Sequence, residues 1–143
     1  MNWLIVERYE NWRADKANNF SFFGVPKRKV KLAQEIKKGD TLITYVSLGF
    51  SSFADLREVT SDSLIDIHEK HQYDDIFQSG IATRAIEVLD EDNWVPIKEG
   101  LLDSLSITKG KKNWGNTMYN PIKKLSEDDA ALLISSILTR VKK

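Results

Sequence analysis

The sequence predicts an α+β fold, a small curved sheet or barrel with helices at its periphery, and three observations predict it. The runs Thr41–Val46, Phe53–Thr60 and Ala82–Leu89 are rich in β-formers and sit in the middle of the chain, and two of them alternate as half-buried strands do. The clearest helical stripe lies at the C-terminal end, and a shorter helix near the N-terminus. The 143 residues contain no internal repeat, low-complexity segment or Pro/Gly/Ser-rich linker, so residues 1–143 read as one unit around a core of its own. Strands in the middle with helices at both ends place that core between a sheet and its covering helices.

Each element has a local reason. Trp3-Leu4-Ile5-Val6 is a short apolar run suited to a buried first strand, and Asn11 is placed to cap a helix through Arg13, Ala14, Lys16 and Ala17. Phe20 to Lys29 reads as a loop, followed by Leu32 and Ile36 and by a Gly39-Asp40 turn into the Thr41–Val46 strand. Phe53–Thr60 is its antiparallel neighbour, Ser63–His71 reads as helical, and Leu101, Leu102 and Leu105 form a short amphipathic turn. Ser126 followed by Glu127-Asp128-Asp129 supplies an N-cap and acids at the positive end of a helix. Leu132, Leu133, Ile134, Ile137, Leu138 and Val141 are its apolar stripe, and Arg140, Lys142 and Lys143 suit its C-terminal end.

Composition narrows the chemistry. The chain has no cysteine, which excludes thiol catalysis, disulfide staples and cysteine-built zinc sites. No basic leader, cleavage site or long apolar stretch is present, so no membrane association is expected and a soluble, cytoplasmic protein is. The 21 basic and 21 acidic residues cancel, but they are segregated along the chain. Lys27, Arg28, Lys29, Lys31, Lys37 and Lys38 form one basic group, Lys109, Lys111, Lys112, Lys123 and Lys124 a second, and acids dominate from Asp55 to Asp103. If the basic groups meet in the fold, they make a positive face fitted to a phosphate backbone; the alternative is ordinary solvated lysine on loops.

There is no phosphate-binding glycine loop, nucleophile elbow or dinucleotide fingerprint. His68 and His71 lie three apart among acids, but a metal site needs a third placed ligand and a second layer of hydrogen bonds, and no metal or other cofactor is expected. The suggestive pattern is aromatic residues interleaved with polar and basic ones. Asn11-Trp12 with Phe20, Phe22, Phe23, Gly24, Val25, Pro26 and the cluster Lys27, Arg28, Lys29 is one group; Lys111-Lys112-Asn113-Trp114-Gly115 is the other. Aromatic faces stack on nucleobases, an asparagine amide bonds a base edge with donor and acceptor together, and Lys or Arg holds phosphates. Phe20 and Phe22 read more readily as core, whereas for Trp12, Phe23 and Trp114 core and pocket readings stand level.

At these residues the chain resembles a known family. Glu10-Asn11-Trp12, Phe23-Gly24-Val25-Pro26, Lys38-Gly39-Asp40 before Tyr45-Val46, Glu58-Val59-Thr60-Ser61, Leu102 to Ile107, Lys111 to Gly115 and Leu125 to Asp129 follow, in order, the pattern of the stand-alone branch of the EVE domains. These domains belong to the PUA-like superfamily and are related to the YTH readers of methylated adenine. The resemblance implies a PUA-like curved β-barrel with peripheral helices, acting as a non-enzymatic module that binds DNA or RNA containing a modified base. It implies a base pocket of Asn11, Trp12, Phe23, Val25, Pro26 and Trp114, phosphate contacts from Lys27, Arg28, Lys29, Lys111 and Lys112, and partner proteins from restriction or RNA-modification systems. Two positions depart from the pattern: Phe23 where relatives often carry Trp, and Asp55-Leu56-Arg57 where a more apolar strand with Gly is expected. The alternatives are a small ASCH-type hydrolase or nuclease using Lys27 or Asp40, and a protein-interaction module docking through the acidic segment Asp55 to Asp103.

Overall fold

The computed structural model describes residues 1–67 and 79–141. Eight strands form one curled mixed sheet: β1 (Asn2–Glu7), β2 (Phe22–Val25), β3 (Thr41–Val46), β4 (Ser52–Val59), β5 (Ile65–Asp66), β6 (Ser79–Val88), β7 (Val95–Pro96) and β8 (Ile122–Lys124). Their order is β2-β6-β4-β3-β1-β8, with β5 beside β6 and β7 beside β4. Four helices, α1 (Tyr9–Ala17), α2 (Val30–Ala33), α3 (Trp114–Thr117) and α4 (Glu127–Val141), lie around this half-barrel among the described residues. The α+β class with a curved barrel and peripheral helices is therefore the architecture of the chain. No helix among the described residues is long and apolar enough to cross a membrane.

The hydrophobic pattern explains the register. β1 pairs parallel with β3, from Asn2↔Thr41 to Glu7↔Val46, the crossover between them carrying α1, β2 and α2. Alternation along β1 sends Trp3 and Ile5 into one cluster with Phe23, Val25, Leu42, Val59, Ile81 and Ala33 of α2. It sends Leu4 to the opposite cluster, where α4 packs Ala130, Leu133 and Ile137 against Ile43, Tyr45, Phe53 and Leu56. The sheet curls where its ladders slip: Ala54 of β4 is the extra residue opposite Thr44–Tyr45 of β3, and Ile86 of β6 the extra residue opposite Leu56–Arg57 of β4. An unpaired extra residue at each slip bends the strand and increases its twist.

Several elements differ from the sequence reading. Helix α1 begins at Tyr9 with Arg8 at its N-cap and no side-chain cap bond, so Asn11 stands inside the first turn instead of capping it. The segment read as a loop contains β2 and a 3-10 turn at Lys27–Lys29; all four residues of β2 are buried, so the strand shows no alternation to read. Ile65–Asp66, expected in a helix, is a strand, and His68 to His71 lie outside the described residues. Ser126 does cap α4, its Oγ accepting the Asp129 N–H at 3.2 Å. Of the α4 stripe, Leu133 and Ile137 are buried and Leu132 and Ile134 pack partly, while Leu138 and Val141 are exposed. Asp129 is buried instead, accepting the N–H and Oγ–H of Ser106 at 2.8 and 2.7 Å.

The anomalous Asp55-Leu56-Arg57 has a physical reason. Arg57 is fully buried and binds three carboxylates: Asp55 through Nε and Nη2 (2.9 and 3.1 Å), Asp15 through Nη1 (2.8 Å) and Glu7 through Nη2 (3.1 Å). Asp55 also accepts the Trp12 indole N–H at 2.8 Å and the Thr44 hydroxyl at 2.6 Å. The Phe20 ring lies 5.0 Å from the guanidinium carbon. An ionic cluster thus ties β1, α1, β3 and β4 together, with every named group desolvated.

Gly80 holds β2 in place by being small. A Cβ there would meet the Phe23 carbonyl oxygen at 2.8 Å and Ile67 Cγ2 at 3.0 Å. Backbone cannot yield as a flexible side-chain end can, so Gly80→Ala is expected to cost about 1–3 kcal/mol. A lowered denaturant midpoint together with faster amide exchange in β2 checks it; an unchanged midpoint refutes it.

Candidate nucleic-acid interface

The barrel is incomplete between β1 and β2, which pair with other strands but not with each other among the described residues. A cavity of about 780 Å³ occupies this region. Its floor is the end of β1 and the start of α1, with Val6, Glu7, Arg8 and Asn11. One lip is Phe23, Gly24, Pro26, Lys27 and Arg28; the other is Ser47 and Leu48 after β3, with Tyr119 and Pro121 before β8. Short bonds fix that second lip: the Ser47 N–H donates to the Glu7 carbonyl at 2.9 Å, and the Val6 N–H donates to the Pro121 carbonyl at 2.9 Å.

The polar groups facing this space are largely uncommitted. Asn11 is half-buried, and its amide makes no hydrogen bond among the described residues. Arg8, Lys27 and Arg28 are exposed and carry no ion pair among the described residues. Strand β2 adds main-chain groups. The Thr83 N–H donates to Ser21 at 2.9 Å while the Thr60 N–H donates to Ala82, so Ser21↔Thr83 is a hydrogen-bonded pair and Phe22↔Ala82 is not. Continuing that alternation turns the N–H and C=O of Gly24 away from β6, toward the open edge that borders the cavity.

Glu7 joins the floor to the Arg57 cluster. Burial, then the neighbouring Asp15 carboxylate, push Glu7 well above its ordinary value, with Arg57 opposing; burial likewise raises Asp15. Asp15 Oδ1 is buried with no hydrogen-bond partner among the described residues. Arg57 stays cationic: burial works against its charge, but the carboxylates of Asp55, Asp15 and Glu7 outweigh it. Through Glu7 the cavity thus borders a buried ionic cluster.

The cavity brings together Asn11, Phe23, Pro26, Lys27 and Arg28 from the sequence reading, and not the others. Trp12 is 1% exposed and belongs to the core, bonded to Asp55 43 residues away. Val25 is buried in the barrel beside Phe23, and Trp114 packs partly against the α4 core. Lys29, Lys111 and Lys112 do not line the cavity, and neither does Asp40. Asp40 accepts the Trp3 indole N–H at 3.0 Å and the Lys37 N–H at 2.9 Å, so its carboxylate secures the turn before β3. Phe20 and Phe22 are core, as read. Phe23 itself is only 3% exposed, and the aromatic ring with free surface in the cavity is Tyr119, at 57%. Arg8, Ser47, Leu48 and Tyr119 were missed; the one local signal was a tyrosine just ahead of Asn120-Pro121, after a short helical turn.

No family model and no curated protein matches the chain. Solved structures do. A Rhodopseudomonas palustris protein solved by NMR is 14% identical, with TM-score 0.64 over 96% of this chain and 93% of that one. A Pseudomonas putida protein is 11% identical, with TM-score 0.63 over 95% and 99%. The Mmi1 YTH domain, in a crystal structure with RNA, is 14% identical, with TM-score 0.66 over 99% of this chain and 80% of that one. At such identities the likeness speaks to fold alone, and the chain has a YTH-like fold.

Proposed function

We propose that this chain is an RNA-binding or single-stranded DNA-binding module that takes one modified base, of which a methylated base is the simplest kind, into the cavity between β1 and β2. The observation that carries this reading is the convergence, at one concave site, of an Asn11 amide and three cations that have no hydrogen-bond or ion-pair partner, respectively, among the described residues, and an open Gly24 peptide edge. Asn11 and Gly24 offer donors and acceptors to a base edge, Tyr119 and Leu48 offer a face opposite Phe23 and Pro26, and Arg8, Lys27 and Arg28 hold phosphates. The Mmi1 YTH domain, which has the same fold, is seen in complex with RNA, and this favours RNA. The motifs from Glu10 to Asp129 make the EVE domains the branch we assign it to. Restriction or RNA-modification systems are the partners this assignment points to.

Magnitudes set what the pocket must do. Stacking is worth about 1–3 kcal/mol per base, while unstacking one from a duplex costs a few, so an already single-stranded target is favoured. One buried methyl adds about 0.8 kcal/mol, close to fourfold in affinity, and stronger discrimination needs an edge hydrogen bond such as that of Asn11. The test is anisotropy of labelled single-stranded RNA and DNA, each with and without N6-methyladenine or 5-methylcytosine. Tyr119→Ala is expected to lower affinity roughly tenfold, in the range that loss of one stack allows. Asn11→Ala is expected to cost about threefold to tenfold and to reduce base preference. Absence of binding to every oligonucleotide at low salt would refute the reading.

A further inference from the structure

Beside the cavity, the hairpin between β3 and β4 holds two apolar side chains out in solvent. Leu48 is 49% and Phe50 43% exposed. The turn adopts left-handed backbone angles to do so, at Leu48 (φ 51°), Gly49 (φ 96°) and Ser51 (φ 46°), two of which are unfavourable for residues with a Cβ. It is nevertheless firmly held. The Ser47 N–H bonds the Glu7 carbonyl at one end, the Ile97 N–H bonds the Ser51 carbonyl at the other (both 2.9 Å), and the Ser52 hydroxyl bonds the Phe50 carbonyl at 2.8 Å. Strain kept in place by this many bonds, with apolar groups displayed at its tip, points to a binding surface.

The display is built. One face of Phe50 stacks on Tyr9, with centroids 4.6 Å apart and planes 17° from parallel, and Trp94 meets both rings edge-on, at 5.7 Å from Phe50 and 6.3 Å from Tyr9. Tyr9 is anchored by its hydroxyl, which bonds Glu91 and accepts from Arg13 Nη1 at 3.0 Å. A ring stacked on one neighbour and braced by another, in a residue that stays 43% exposed, is a preorganised stacking platform. Its chain neighbours belong to the cavity. Leu48, two residues before Phe50, lines the cavity, and Arg8, immediately before Tyr9, lines it too.

We propose that Phe50 is a second stacking site, taking the base next to the one held in the cavity, with Arg8 binding the phosphate that connects them. The proposal rests on reading the cavity as a base pocket. It commits to a nucleic-acid occupant because Arg8, an exposed cation with no ion pair among the described residues, lines the cavity and is next in the chain to Tyr9, on which Phe50 stacks; a purely apolar partner would leave that charge unused.

The test uses single-stranded pentaribonucleotides carrying N6-methyladenosine at the centre, with 2-aminopurine on one or the other side of it. 2-Aminopurine loses emission on stacking. Anisotropy reports binding, and 2-aminopurine emission reports the platform. The wild-type protein is expected to quench 2-aminopurine on one side of the modified base only. Phe50→Ala should abolish that quenching and weaken binding roughly tenfold, while Phe50→Tyr restores both. Binding with no quenching on either side, or with quenching unchanged in Phe50→Ala, would overturn the platform and leave the pocket standing. No binding of any oligonucleotide would overturn both. Dimerisation of the free protein that Phe50→Ala abolishes would assign the surface to a second copy of the chain and overturn the proposal.

Discussion

Arg57→Leu is expected to lose about 3–5 kcal/mol of stability, the usual result of removing one partner from a buried ion cluster. The loss is large because three carboxylates, Glu7, Asp15 and Asp55, would remain in the barrel without their cation, and leucine replaces none of the four hydrogen bonds Arg57 makes to them. A domain of this size has a total stability of roughly 5–15 kcal/mol, so the variant sits near the edge of folding. Urea denaturation followed by circular dichroism checks it. A change below about 1 kcal/mol would mean that water reaches the cluster and that the carboxylates are not desolvated.

The pH dependence of that loss has a definite sign. Glu7 and Asp15 are held above their ordinary values of 4.5 and 3.8, chiefly by burial, so the folded state binds their protons more tightly than the unfolded chain does. Their contribution to stability is therefore complete at pH values below those ordinary ones and declines as pH rises through the raised values. Arg57 opposes both shifts, and its removal raises them further. The deficit of Arg57→Leu should accordingly be greatest at neutral and alkaline pH and shrink as the pH falls toward about 4.5. A deficit that grew on acidification would put the cause in lost packing over Phe20, not in uncompensated charge.

The same cluster shows what a one-dimensional reading reaches. β3, β6 and α4 were legible because their apolar residues recur at the period of the element, β1 as a short apolar run ahead of charge, and β4 as the neighbour that β3 requires. β2 was not, since four consecutive buried residues have no period, and α1 was placed late because its N-cap, Arg8, makes no side-chain bond. Trp12 looked equally suited to a pocket or a core; what decides it is Asp55, brought near by strand pairing across 43 residues. The cavity divides along the same line. Asn11, Phe23, Pro26, Lys27 and Arg28 lie within one stretch and were visible as a mixed aromatic and basic motif. Ser47, Leu48 and Tyr119 arrive from the β3–β4 hairpin and the α3–β8 connection, and only the fold brings them to the opposite lip. Lys111 and Lys112, close in sequence to Trp114, are separated from Tyr119 by α3 and do not line the cavity.

Charge and base selection are separable in this arrangement, and the triple variant Arg8→Ala, Lys27→Ala, Arg28→Ala tests the separation. Each cation that neutralises a phosphate of a single strand contributes about 0.7 to the slope of log affinity against log salt. Removing three should flatten the slope by about 2 and weaken binding about a hundredfold at roughly 0.1 M salt, with the difference vanishing toward 1 M. The ratio of affinities for modified and unmodified oligonucleotides should not change, because Asn11, Gly24 and Tyr119 remain. All three cations are exposed and unpaired among the described residues, so the fold has no reason to suffer, and an unaltered urea midpoint is the control. Isothermal titration at two salt concentrations gives slope and preference together. If preference fell with affinity, the cations would be reading the base as well as the backbone, and the division of the cavity into phosphate-holding cations and base-reading groups would be wrong.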